Sequence, residues 1–184
     1  MSEFRLELTD AEKRYLKDLV VQSIASRLTG EGPARPPEPP TAKLREHLGA
    51  FVTLKLHGRL RGCIGNIQGM GELYRTVWTM ARSAAFEDPR FPELGEDEFP
   101  KLEYEISILS PIEPCTDPAR VEVGRHGLIM SAHGRSGLLL PQVPVEWQWD
   151  RETFLAQTCV KAGLPRNAWK DPGTTIFWFE AEVF

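Results

Sequence analysis

Two alternating runs joined by a His-Gly pair constrain this chain more than any other stretch. Phe51-Val52-Thr53-Leu54-Lys55-Leu56 alternates with period two, as a strand with one buried face does. His57-Gly58 supplies a turn, and residues 60–64 (Leu-Arg-Gly-Cys-Ile) return as a second strand. Val52, Leu54 and Leu56 form the apolar face of the first strand; Leu60, Gly62 and Ile64 form that of the second. Those faces coincide only if an odd loop, such as a three-residue turn, or a bulge shifts the pairing. An even loop would drop the Arg61 charge into the apolar side, which is costly. The odd register puts Cys63 and Arg61 on the opposite face with Thr53 and Lys55, leaving the thiol less buried.

The same pattern returns further along. Residues 128–132 read as a strand, His133-Gly134-Arg135 as a turn and residues 137–140 as a returning strand. Each hairpin is followed by a helical stripe. The first carries Leu73, Val77, Met80, Ala81 and Ala84; the second carries Phe154, Leu155, Thr158, Cys159 and Ala162, capped by Asp150 and closed by Gly163. Strands over 102–109 and 174–183 complete the halves. Two hairpin–helix–strand pseudo-repeats, at about 49–110 and 125–184, are thus expected inside one domain. If they are copies, spacing matches Cys63 to about Leu139, so the thiol belongs to the first copy alone. Ahead of them, Thr9 and Glu12 form a capping box for a helix that Gly30 ends. Residues 32–40 hold five prolines and read as an extended connector, and residues 41–48 as a short helix.

A chain of 184 residues, 41% hydrophobic with nine phenylalanines, can bury one substantial core without staples. Cys63, Cys115 and Cys159 are odd in number and form no CxxC pair, which argues against a disulfide framework or closed zinc site. No His or Cys pair has metal-ligand spacing, and no cofactor motif is present, so neither metal nor cofactor is expected. The formal net charge of −4 and the lack of a basic run argue against nucleic acid. No apolar run approaches the ~20 residues that span a bilayer, so no membrane association is expected. A reducing cytoplasmic compartment fits these features.

Chemistry concentrates at Arg59-Leu60-Arg61-Gly62-Cys63-Ile64-Gly65-Asn66. A guanidinium beside a thiol favours the thiolate, the form that attacks electrophiles. Glycine on either side of a cysteine suggests space reserved around the sulfur. The plainer reading is a small hydrophobe filling a tight strand end.

The hexapeptide Leu60-Arg61-Gly62-Cys63-Ile64-Gly65 resembles the signature of the AMMECR family. The resemblance extends through Gly49-Ala50-Phe51-Val52-Thr53-Leu54, Ala84-Ala85-Phe86-Glu87-Asp88-Pro89-Arg90-Phe91 and Glu105-Ile106-Ser107. Further on come Leu138-Leu139-Leu140-Pro141-Gln142-Val143, Phe154-Leu155 and Cys159-Val160-Lys161-Ala162-Gly163-Leu164. It implies an α+β fold in which two hairpin–helix–strand halves surround a curved, barrel-like, largely antiparallel sheet. It implies no established activity. Bacterial and archaeal members resemble the A component of the AmmeMemoRadiSam set, which adds a Memo-type protein and a radical SAM enzyme as pathway partners.

Two functional readings stand. In the first, the chain is a thiol-containing accessory or catalytic component of a small-molecule or protein-modification pathway. Cys63 is then the nucleophile, Arg61 steadies the thiolate or an anion, and N–H groups at residues 64–66, Asn66 included, form an oxyanion nest. The base is the weak element: His57 lies ~20 Å away along an extended strand, and His47, His126 and His133 have no pattern tying them to the thiol. Glu105 and Glu146 can approach only through the fold. In the second reading the chain is a non-catalytic ligand- or protein-binding module. Arg61, Gly62, Gly65, Asp88, Arg90 and Gln142 line its cleft, and Cys63 supplies shape rather than reactivity.

Overall fold

The computed structural model describes residues 6–184. Their elements are α1 (Asp10–Thr29), β1 (Ala50–Leu56), β2 (Arg59–Asn66), α2 (Leu73–Phe86), β3 (Leu102–Leu109) and β4 (Glu113–Pro114). Then follow β5 (His126–Ala132), β6 (Arg135–Leu139), α3 (Gln142–Glu146), α4 (Arg151–Lys161) and β7 (Thr175–Val183). The protein is α+β, and its strands pair antiparallel. No helix among the described residues is long and apolar enough to cross a membrane. Residues 6–109 and 182–184 form one compact unit, and residues 110–181 form a second.

In the first unit the Thr9–Glu12 capping box forms in full, with the Thr9 N–H donating to Glu12 Oε2 at 2.8 Å. Gly30 ends α1 in the left-handed region at φ 69°, as the sequence indicates. The proline-rich connector carries no helix or strand, and Tyr15 holds it by donating its hydroxyl to the Pro37 carbonyl at 2.6 Å. The short helix expected over 41–48 shrinks to a 3₁₀ turn, Ala42–Arg45. α2 packs on α1 and on the β1–β2 hairpin, burying Val77, Ala81, Ala84, Val52 and Leu54 between them. β1 is the central strand of β2-β1-β3. Phe184 and Ile106 exchange two backbone hydrogen bonds, at 2.9 and 3.1 Å.

The hairpin meets its parity requirement by a bulge rather than a three-residue turn. His57 and Gly58 make a two-residue turn, with φ 51° and 72°, the left-handed pair that matches the twist of the flanking strands. Pairing then slips between Leu54 and Lys55: Leu54 faces Gly62, whereas Lys55 faces Leu60, leaving Arg61 as the extra residue. The slip restores Val52↔Ile64 and Thr53↔Cys63 to their expected faces. It also turns Leu60 away from the core, where it is 44% exposed against expectation.

The second unit repeats the turn at His133 and Gly134 with the same φ values, 51° and 72°, but its β5–β6 pairing has no slip. Leu138 faces Ile129 there as Cys63 faces Thr53, so the pairing counterpart of Cys63 is Leu138 rather than Leu139. Asp150 caps α4 by accepting from the Thr153 N–H at 2.8 Å. Phe154, Leu155 and Cys159 pack with Leu128, Met130 and Trp178 to form the core. Trp149 packs against that core, whereas Trp147 is 67% exposed.

Candidate functional site

Register alone builds a polar row on the β2-β1-β3 sheet. Cys63 pairs with Thr53, and Thr53 pairs with Glu105, so three side chains from three strands lie abreast on one face. The opposite face, with Val52 and Leu54, is the one α2 covers. Cys63 donates its N–H outward to Asp88 rather than to β1, as in the closely spaced, non-hydrogen-bonded type of pair. That spacing brings Cys63 Sγ to 3.2 Å from Thr53 Oγ1. Lys55, two residues along β1, sets its Nζ 3.7 Å from Glu105 Oε2. In the neighbouring row, Gly65 and Ser107 flank Phe51. The Ser107 hydroxyl is buried without a hydrogen-bond partner among the described residues.

The two glycines beside the thiol serve packing. A Cβ on Gly62 would lie 2.0 Å from the Ala84 carbonyl oxygen, so this glycine admits the α2 backbone on the far side of the sheet. A Cβ on Gly65 would lie 2.3 Å from Phe51 Cγ, so its space is taken by a ring. Neither leaves a hollow at the sulfur. Residues 64–66 continue β2, with Gly65 opposite Phe51 and Asn66 opposite Ala50, so their backbone is a strand and not a nest.

The motif charges close the free edge of β2. Asp88, 4% exposed, accepts from the Cys63 N–H at 2.9 Å, and Arg90 grips its carboxylate through Nε at 2.9 Å and Nη2 at 2.7 Å. Arg90 Nη2 also donates to the Cys63 carbonyl at 3.2 Å. The Arg90 guanidinium, with the Cys63 N–H after it, holds the Asp88 carboxyl well below the usual carboxylate range, against the effect of burial. The contact satisfies the outward N–H and C=O of the cysteine at a sheet edge.

Arg61, only 7% exposed, donates to both Glu98 oxygens, from Nε at 2.9 Å and Nη2 at 2.8 Å. Nη2 also reaches the Glu93 carbonyl at 3.3 Å, whereas Nη1 is buried with no hydrogen-bond partner among the described residues. Arg61, and after it the Gly95 N–H, pulls the Glu98 pKa down to about 2. The guanidinium expected beside the thiolate is thus paired with a carboxylate, and its bulge position takes it out of the Cys63 row.

The structure brings Arg61, Gly62, Cys63, Gly65, Asn66, Asp88 and Arg90 into one unit. Gln142 heads α3 in the other unit, its Oε1 buried and unpartnered among the described residues. His57 stays at the hairpin turn. Thr53 was legible as a neighbour of Cys63 from strand parity. Glu98 was not: it lies in a loop 37 residues from its partner, with no periodicity to mark it.

The AMMECR1 family model matches residues 17–184, most of the chain, with the Cys63 row and its edge clamp inside the match. The chain belongs to the AMMECR1 family. A protein from Thermococcus gammatolerans is 42% identical over 96% of this chain and 91% of its own length. Protein TK0174 of Thermococcus kodakarensis is 41% identical over the same shares. Among solved structures, the uncharacterized protein PH0010 from Pyrococcus horikoshii is similar with a TM-score of 0.89 and 40% identity. That match covers 96% of this chain and 92% of the other. Within this AMMECR1-family chain, three of the resembling stretches (residues 49–54, 60–65 and 105–107) are the strands that carry the row.

Proposed function

We propose that this AMMECR1-family chain is a non-catalytic binding module, and that the sheet face bearing Cys63, Thr53, Glu105 and Lys55 is its recognition surface. One observation carries the reading: the polar partner of the thiol is the Thr53 hydroxyl at 3.2 Å. A hydroxyl does not take a proton from a thiol near neutral pH, and covalent catalysis needs a base within hydrogen-bond reach. The guanidiniums that would stabilise a thiolate in the absence of a base are each held by a carboxylate, Arg61 by Glu98 and Arg90 by Asp88. What remains is a pattern of half-buried thiol, carboxylate and ammonium groups beside the buried Thr53 hydroxyl, suited to selecting a polar partner. The Memo-type and radical SAM proteins named by the family resemblance are the partners to offer it first.

Complementation of a strain lacking the gene tests this. Cys63→Ser, which keeps a small hydrogen-bonding group beside Thr53, restores function fully, whereas Glu105→Ala does not. A folded Cys63→Ser chain as inactive as the deletion would refute the proposal.

A further inference from the structure

The second unit holds a cavity of about 320 Å³, independent of the Cys63 face, whose wall includes Arg120, Glu122, Arg125, His126, Arg151 and Trp178. That volume is within the usual range for small-molecule sites. Its floor is rigid for local reasons. Asp117 caps the 3₁₀ turn Pro118–Arg120 by accepting from the Ala119 N–H at 3.0 Å. The chain then turns through Gly124 at φ 86°, and the His126 N–H closes the turn on the Glu122 carbonyl at 3.0 Å.

His126 is the telling residue. It is 5% exposed, starts β5, and stacks on Trp178 with ring centroids 4.6 Å apart. Its Nδ1 accepts from the Glu122 N–H at 3.0 Å, which leaves the neutral ring with its proton on Nε2. Burial, and then the Arg125 charge, pushes the imidazole pKa down, so the ring is neutral at pH 7. The ring as a whole is buried and walls the cavity, and its Nε2–H has no hydrogen-bond partner among the described residues.

Arg151 supplies the charge. It donates Nη1 to the Ala119 carbonyl at 2.8 Å, which anchors the guanidinium and leaves its other N–H groups for the opening. Arg125, by contrast, is engaged with Glu180 at 2.9 Å and with Glu122 at 3.2 Å. The wall thus carries three guanidiniums, of which Arg125 pairs with Glu122 and Glu180, Arg120 is engaged within the protein and lies over the Trp178 ring, and Arg151 is held through Nη1 alone. A cation would be repelled there, and an apolar guest would strip water from donors without replacing it.

We propose that this cavity binds a small oxyanion group, phosphate or carboxylate, held by His126 Nε2–H and the Arg151 guanidinium. Charge-assisted donors of this kind match both groups.

The test follows the histidine ring signals of the full chain by NMR during titration with inorganic phosphate and, separately, with acetate, at constant ionic strength set by chloride. His126→Asn identifies the His126 signals; its side-chain oxygen can still accept from the Glu122 N–H. The His126 signals shift saturably with at least one probe, and the arm that saturates at lower concentration assigns the anion class. Arg151→Ala, with an unchanged melting temperature, weakens that binding at least tenfold. No saturable shift with either probe, an equal shift with chloride alone, or undiminished binding in Arg151→Ala each overturns the proposal.

Discussion

Replacing Gly62 by alanine separates two meanings of that glycine. If it reserves room beside the sulfur, a methyl group leaves the fold intact and alters only access to Cys63. If it admits α2, the methyl group strikes backbone. The added Cβ would stand 2.0 Å from the Ala84 oxygen and 3.0 Å from the Ala84 carbonyl carbon. Ordinary contact begins near 3.4 Å, so strand and helix must part by about 1.4 Å. No side chain can rotate away, because both partners are main chain. Val77, Ala81 and Ala84 of α2 then lose contact with Val52 and Leu54, and a gap of about 1 Å forfeits a quarter to a half of each dispersion well. Overpacking of this kind costs about 3 kcal/mol or more. For a chain of this length that lowers Tm by roughly 6–12 °C. Thermal and urea unfolding followed by circular dichroism read the change, with Cys63→Ser as a control expected within about 1 kcal/mol of the natural chain. A Gly62→Ala chain within about 0.5 kcal/mol of the natural one would refute the packing account.

Other outcomes follow from the same contacts. Gly137→Ala in the second unit, whose Cβ would lie 2.3 Å from the Ala162 nitrogen, destabilises the chain for the same reason and is read by the same unfolding curves. The Glu98 carboxyl, moved from 4.5 to about 2, contributes at most about 3 kcal/mol above pH 5. Because its folded pKa is the lower one, that stability is complete above 4.5 and disappears as the pH falls through about 2. Glu98→Gln therefore flattens the acid limb of a stability–pH profile, and Asp88→Asn, whose carboxyl is lowered in the same direction, does likewise. Arg61→Met leaves Glu98 without its partner and costs about 3 kcal/mol, less when combined with Glu98→Gln; additive losses in that cycle would show that the pair is not coupled.

Strand parity reached far in this chain. Alternation over 51–56 and 60–64 required a bulge or an odd loop and set Cys63 beside Thr53, as the pairing bears out. It could not locate the bulge, because the slip falls at Arg61, where a charge is satisfied by Glu98 from a distant loop. Leu60 consequently points outward, although its apolar character suggested the core. The glycines read as space reserved around the sulfur, whereas that space is filled by Ala84 from the other face of the sheet and by Phe51 from the neighbouring strand. Asp88 and Arg90 were legible only as cleft-lining candidates, since nothing in a linear pattern reveals that the adjacent sheet edge leaves the Cys63 N–H and C=O to be satisfied. The five-residue α3, with proline at 141 and 144, is too short for a helical period to emerge. His126 gave no signal because its partners are a backbone N–H and a ring from another strand.

The reactivity of Cys63 tests the central claim most directly. Cys115 and Cys159 are buried, and burial pushes both thiols up, so brief iodoacetamide treatment at neutral pH reports on Cys63. A recognition surface built on a thiol–threonine pair predicts alkylation no faster than that of free cysteine under the same conditions. Alkylation of Cys63 at least tenfold faster than free cysteine would contradict it and return the residue to the role of nucleophile.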